Sequence, residues 1–134
     1  MQNYKNGSII QVRPDDYPLI LHYGILVNYL GEWWVLHNNE SNGVHREKLA
    51  SVLDRSTLIQ VIDTKLTGKT TNELLERFKA YEGKSYDLVA YNCESFVNDF
   101  INQKKYSKQT IIYTSLILIT IVFLTAWITK KLVR

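Results

Sequence analysis

One cysteine, Cys93, and three histidines, His22, His37 and His45, are the residues of this chain best suited to covalent and proton-transfer chemistry. Cys93 follows Asn92, and Phe96, Val97, Phe100 and Ile101 continue from it at the i+3, i+4, i+7 and i+8 spacing of one helix face. Asn92 is a good N-cap, so the thiol is expected in a first helical turn. There, unpaired backbone N–H groups and the positive end of the helix dipole favour thiolate over thiol. That position suits a nucleophile. It also suits packing, since Cys93 extends the stripe of Phe96 and Phe100 and cysteine is among the most buried residue types.

A nucleophilic cysteine needs a base and a group that holds the base's ring. His22 opens one β-rich run and His37 closes the next, so both can point into one cleft with Cys93. His45, beside Arg46 and Glu47 after the Asn42-Gly43 turn, reads as a partly exposed strand residue. Three histidines without a second cysteine or an HxxxH pair argue against zinc, and the chemistry needs no organic cofactor. A lone cysteine excludes an internal disulfide framework and fits a reducing compartment.

The elements that must position these residues are legible. Ser8 to Val12, His22 to Tyr29, Glu32 to Leu36 and Val44 to Glu47 read as a meander of strands. Leu30-Gly31 and Asn42-Gly43 supply turns. Leu58 to Ile62, apolar on both faces, reads as a central strand. Thr70 and Glu73 have capping-box spacing ahead of an amphipathic helix carrying Leu74, Leu75, Phe78 and Tyr81 and ending at Gly83, and the Cys93 helix follows. The fold class expected is α+β, a small antiparallel sheet packed on two helices over residues 1–108.

Residues 109–129 form an uncharged run of Ile, Leu, Val and Thr, enough at ~1.5 Å per residue to span the ~30 Å core of a bilayer. It reads as one transmembrane helix, followed by a basic tail at 130–134. The chain of 134 residues carries a net charge of +3, but residues 1–109 balance at 13 basic against 13 acidic, so the excess is Lys130, Lys131 and Arg134. That distribution leaves no basic face for nucleic acid. With no apolar run behind a basic start at the N-terminus, a single-pass tail anchor with a cytoplasmic N-terminal domain is expected.

HYGILV at 22–27, WVLH at 34–37 and YDLVAYNCESFV at 86–97 resemble the lecithin:retinol acyltransferase family. They equally resemble its relatives among the H-Ras-like suppressor phospholipase/acyltransferases, a circularly permuted branch of the NlpC-like, papain-related clan. GSIIQVRP at 7–14 resembles that family's opening strand. The resemblance implies Cys93 as nucleophile, His22 as general base and His37 as the residue orienting it. It further implies Arg13 near the active site, while Ser95 stands where the family often has a histidine. Asn92 and the Cys93 backbone N–H are candidate oxyanion groups. The function so implied is a thiol phospholipase/acyltransferase working through a cysteine thioester on membrane glycerophospholipid esters. The alternatives are an NlpC-like cysteine peptidase or amidase, or a non-catalytic membrane adaptor with Cys93 as core.

Overall fold

A computed structural model describes residues 3–132. Its fold is α+β: a five-stranded antiparallel sheet of order β4-β3-β2-β1-β5, helices on both faces, and one long apolar C-terminal helix. The strands are β1 Ile9–Pro14, β2 His22–Tyr29, β3 Glu32–Asn39, β4 Gly43–Lys48 and β5 Ser56–Ile62. Strands β1 to β4 form the expected meander. The β2–β3 turn is the two-residue Leu30-Gly31 loop, both residues with positive φ, the backbone whose twist matches a hairpin.

Strand β5 is an edge strand beside β1 rather than a central one. Leu58 and Val61 pack inward, while Ile59 and Ile62 stay partly exposed, so apolar residues on both faces here mark an uncovered strand. Between β4 and β5 lies α1, Leu49–Leu53, a single short helix with no side-chain cap and hence no sequence signature.

Two cores sandwich the sheet. On one face α2 (Thr71–Phe78) and α3 (Cys93–Asn102) bury Leu74, Phe78, Phe96, Val97 and Phe100 against Ile25, Val27, Leu36 and Val44. Thr70 caps α2 with the full reciprocal capping box to Glu73. The other face packs Ile10, Val12, Leu26 and Val35 on Leu49 and Val52 of α1.

The last helix, α4 (Lys108–Leu132), buries no residue against the rest of the chain and is long and apolar enough to cross a membrane. Its threonines suit such a setting, for the hydroxyls of Thr114, Thr120, Thr125 and Thr129 each donate to the carbonyl four residues back. No polar atom on those side chains is left to seek a partner in hydrocarbon. Lys131 lies over the Trp127 ring at the far end, 4.3 Å from its centroid. Arg134 of the basic tail lies outside the described residues.

Candidate active site

Antiparallel pairing sets out the histidines. Gly24 faces His37 across β2–β3, and His37 faces His45 across β3–β4, so His22, His37 and His45 share one face in a diagonal row. Gly24 permits this: a Cβ there would fall 2.2 Å from Val35 Cγ1 and 3.3 Å from His37 Cβ, displacing the residues that carry the row. His22 Nε2 lies 2.7 Å from His37 Nδ1, and His37 Nε2 lies 3.1 Å from His45 Nε2 and 3.2 Å from Glu47 Oε2. Glu47 in turn accepts two hydrogen bonds of 2.7 Å from Arg55.

The proton positions in this row follow by elimination. His45 Nδ1 sits 2.9 Å from the Gly43 carbonyl, which can only accept, so Nδ1 carries the hydrogen and neutral His45 presents a bare Nε2. Both neighbours of His37 Nε2, that bare nitrogen and the Glu47 carboxylate, are then acceptors, so His37 holds its proton on Nε2. Its Nδ1 therefore accepts from His22 Nε2–H, which leaves His22 Nδ1 as a free lone pair. Burial, followed by the charge of His37, pushes the His22 pKa down to about 3; burial likewise lowers that of His37, opposed by its bond to Glu47. Hydrogen bonds from His37 and Arg55 hold Glu47 well below the usual carboxylate range. The row is an uncharged His22 imidazole backed, through His37, by the fixed negative charge of Glu47.

The nucleophile candidate arrives from the opposite face. Asn92 caps α3 as expected, its Oδ1 accepting from the Ser95 N–H at 3.0 Å. Ladder β1–β2 runs to Val12↔His22, but ladder β2–β3 stops at Gly24↔His37, which frees the edge of β2 around residue 22. Cys93 fills that edge: its thiol donates to the Leu21 carbonyl at 3.9 Å and its sulfur accepts from the Tyr23 N–H. The thiol thus touches the backbone on both sides of His22 and has no hydrogen bond to the imidazole in this state. Burial pushes its pKa up to about 11, outweighing the backbone N–H groups of Tyr23, Glu94 and Cys93 itself, so the lowered pKa expected from a helix N-terminus is not found. Tyr86 is close enough for the Cys93 charge to add to the burial that raises its own pKa to about 12.

Two further candidates stand apart from these atoms. Arg13 is exposed on β1 opposite Thr57 and bonds neither the thiol nor an imidazole. The Asn92 amide is fully engaged, donating to the Leu88 carbonyl at 3.1 Å and Thr110 Oγ1 at 2.8 Å, which leaves it no donor for an oxyanion. Sequence reasoning also missed contributors. Glu47 and Arg55 flank α1 and meet only because that helix turns the chain back, and His45, read as a bystander, bonds His37 directly. The one available signal was the alternation of His45 and Glu47 on a strand facing His37.

The start of α4 is built into the same site. Gln109 clamps Leu21, its Nε2 donating to the Leu21 carbonyl at 3.0 Å and its Oε1 accepting the Leu21 N–H at 3.1 Å. Buried Glu94 accepts from Ser107 Oγ at 2.6 Å and the Gln109 N–H at 3.0 Å, a carboxylate set against two helix N-termini. Tyr113 donates to the Leu19 carbonyl at 3.0 Å.

A scan against family models matches residues 16–110 to the PPPDE putative peptidase domain. The chain belongs to that family. The PPPDE domain is a cysteine-peptidase-like domain of the papain-like clan, so the match upholds the clan and suggests a cysteine-dependent hydrolase, and it does not show the lecithin:retinol acyltransferase branch suggested by the motifs. No curated protein and no solved structure matched the chain. The PPPDE segment spans β2 to the first residues of α4; β1 precedes it and nearly all of α4 follows it.

Proposed function

We propose that this PPPDE protein is a cysteine-dependent hydrolase of amide bonds, held at a membrane by α4 with its N-terminal domain, residues 1–108, in the cytoplasm. The observation that carries the reading is the Glu47–His37–His22 row, whose proton assignments leave a bare His22 Nδ1 on the residue between the two backbone groups, the Leu21 carbonyl and the Tyr23 N–H, that the thiol touches. Substrate binding at the β2 edge takes the thiol off the Leu21 carbonyl. Its proton passes to His22 Nδ1 as sulfur attacks the substrate carbonyl, and the Cys93 backbone N–H at the α3 start meets the developing oxyanion. His22 then protonates the departing amine and the C–N bond breaks to a thioester. Water loses a proton to His22 as it adds, the C–S bond breaks, and His22 returns that proton to sulfur. His37 and Glu47 hold the ring and stabilise its positive charge in transit.

A second reading, hydrolysis or transfer of acyl groups from glycerophospholipid esters, is favoured by one observation: the thiol's surroundings are joined directly to the root of the membrane helix. Intact-mass spectrometry of the full chain in detergent, exposed separately to a peptide library and to acyl-labelled phosphatidylcholine, decides between them. A peptidyl adduct on Cys93 is expected. A fatty-acyl adduct establishes the lipid reading, and an unmodified Cys93 with both substrates rejects the enzyme.

A further inference from the structure

Large apolar side chains are bare at two loops that flank the thiol and the root of α4. Leu19 is 86% exposed with Ile20 beside it, and Leu88 and Val89 are 65% and 63% exposed. Neither loop is loose. The first is closed by the Tyr17 N–H to Pro14 carbonyl and Ile20 N–H to Tyr17 carbonyl bonds. In the second, Asp87 Oδ1 accepts from the N–H groups of Val89 and Ala90, closing a turn on which the Leu88 and Val89 side chains stay exposed.

Both loops are bonded to α4 within its first two turns. Tyr113 reaches the Leu19 carbonyl at 3.0 Å, and Thr110 Oγ1 lies 3.5 Å from the Leu88 carbonyl. Because a helical side chain points back over the turn before it, these contacts set Leu19 and Leu88 level with the first turns of the apolar helix. Lys104, Lys105 and Lys108, all exposed, lie at the same root, where cations meet lipid phosphates. A membrane that accepts α4 must therefore meet these two loops next, and exposed leucines beside a basic helix root are what its interface takes up.

We propose that the loops carrying Leu19–Ile20 and Leu88–Val89 form an apolar collar around the root of α4 that sits in the surface of the same bilayer, so that the β2 edge holding Cys93 opens onto the membrane. This rests on α4 being a membrane span but not on the chemistry at Cys93. The substrate must then offer its scissile carbonyl at headgroup depth, as a juxtamembrane or lipid-attached segment does and a freely dissolved one does not.

Leu30 is an internal control. It is 85% exposed, as bare as Leu19, but lies in the turn at the opposite end of β2, which at ~3.3 Å per residue is more than ~20 Å from His22. In a Cys93→Ala full chain reconstituted into phosphatidylcholine vesicles, Leu19→Cys, Leu88→Cys, Leu30→Cys and Phe123→Cys are each labelled with an environment-sensitive fluorophore. Nitroxide placed high on the lipid acyl chain is expected to quench the labels at 19 and 88 severalfold more than at 30, with blue-shifted emission. Ile20→Cys and Val89→Cys repeat the measurement should a first variant fold poorly. Quenching at 123 with water-like emission at 19, 20, 88 and 89 overturns the collar while leaving the anchor. Water-like emission at 123 as well overturns the membrane reading itself. Neither result depends on whether the chain is a hydrolase.

Discussion

The two halves of the candidate catalytic pair are held by different means. His22 stands at the end of a chain of side chains, His37, Glu47 and Arg55, borne on β3, on β4 and just after α1, each fixed by strand pairing or by a two-point ion pair. Cys93 has no such chain behind it. Its thiol rests on the Leu21 carbonyl, and Leu21 is held in turn by Gln109 of α4. The candidate base belongs to the sheet; the candidate nucleophile's setting is borrowed from the apolar helix α4.

The comparison breaks outright if the pair does not act as a unit. Cys93→Ala and His22→Ala are each expected to lower turnover by at least about a thousandfold with the fold retained, read by single-turnover kinetics and circular dichroism. Next in size is the borrowed half. Truncation after Lys108 removes Gln109, Thr110 and Tyr113, so activity should fall on a soluble substrate as well as a membrane-displayed one, by about a hundredfold. Gln109→Ala in the full chain should reproduce part of that loss while leaving membrane association intact. An anchor that serves only to tether would leave soluble turnover untouched, the outcome suggested by the sequence alone, where 109–129 reads as a separable span.

The sheet-held half is sharpened by pH. His22 is depressed from 6.5 to about 3, so below 6.5 the unfolded chain binds a proton that the folded one refuses. The stability from keeping it neutral is complete above pH 6.5 and is lost as pH falls toward 3, about 2 kcal/mol of it by about pH 5. Urea unfolding at neutral and acid pH measures the loss, and His22→Asn should flatten the slope. Cys93 acts at the other end: raised from 9.0 to about 11, it contributes stability that is lost as pH climbs through that interval. The smallest effects are within the row. His37→Ala should cost about tenfold in turnover, since water can stand in for an orienting group, and His45→Ala, which removes only a second acceptor from His37 Nε2, a few-fold. Equal losses would mean that His45 and not Glu47 fixes the His37 proton.

Much of this arrangement was legible in advance because it is written locally. Strand β2 has the expected bounds, set by its aliphatic run and the turn after it, and the caps Thr70 and Asn92 mark α2 and α3 where spacing placed them. What could not be read is what the tertiary structure joins. Arg55 reaches Glu47 only by way of the capless α1, and the clamp on Leu21 comes from a residue 88 positions away. The direction of the Cys93 shift was misjudged for a related reason. Helix position is a local property, whereas burial against the β2 edge, which outweighs it, is not.

Glu94, accepting from both Ser107 and the Gln109 backbone, leaves the five residues between α3 and α4 no freedom to act as a leash. A domain on a leash sweeps a hemisphere above its membrane and samples bonds at every elevation. With α4 in a bilayer, as proposed, this one would be mounted like a tool on a fixed stand, travelling and turning in two dimensions with its β2 edge at a single height. On the proposed hydrolase reading, any carbonyl presented above or below that plane would be out of range, however well its sequence or headgroup fits, and the carboxylate at residue 94 would act as a ruler on what the protein selects.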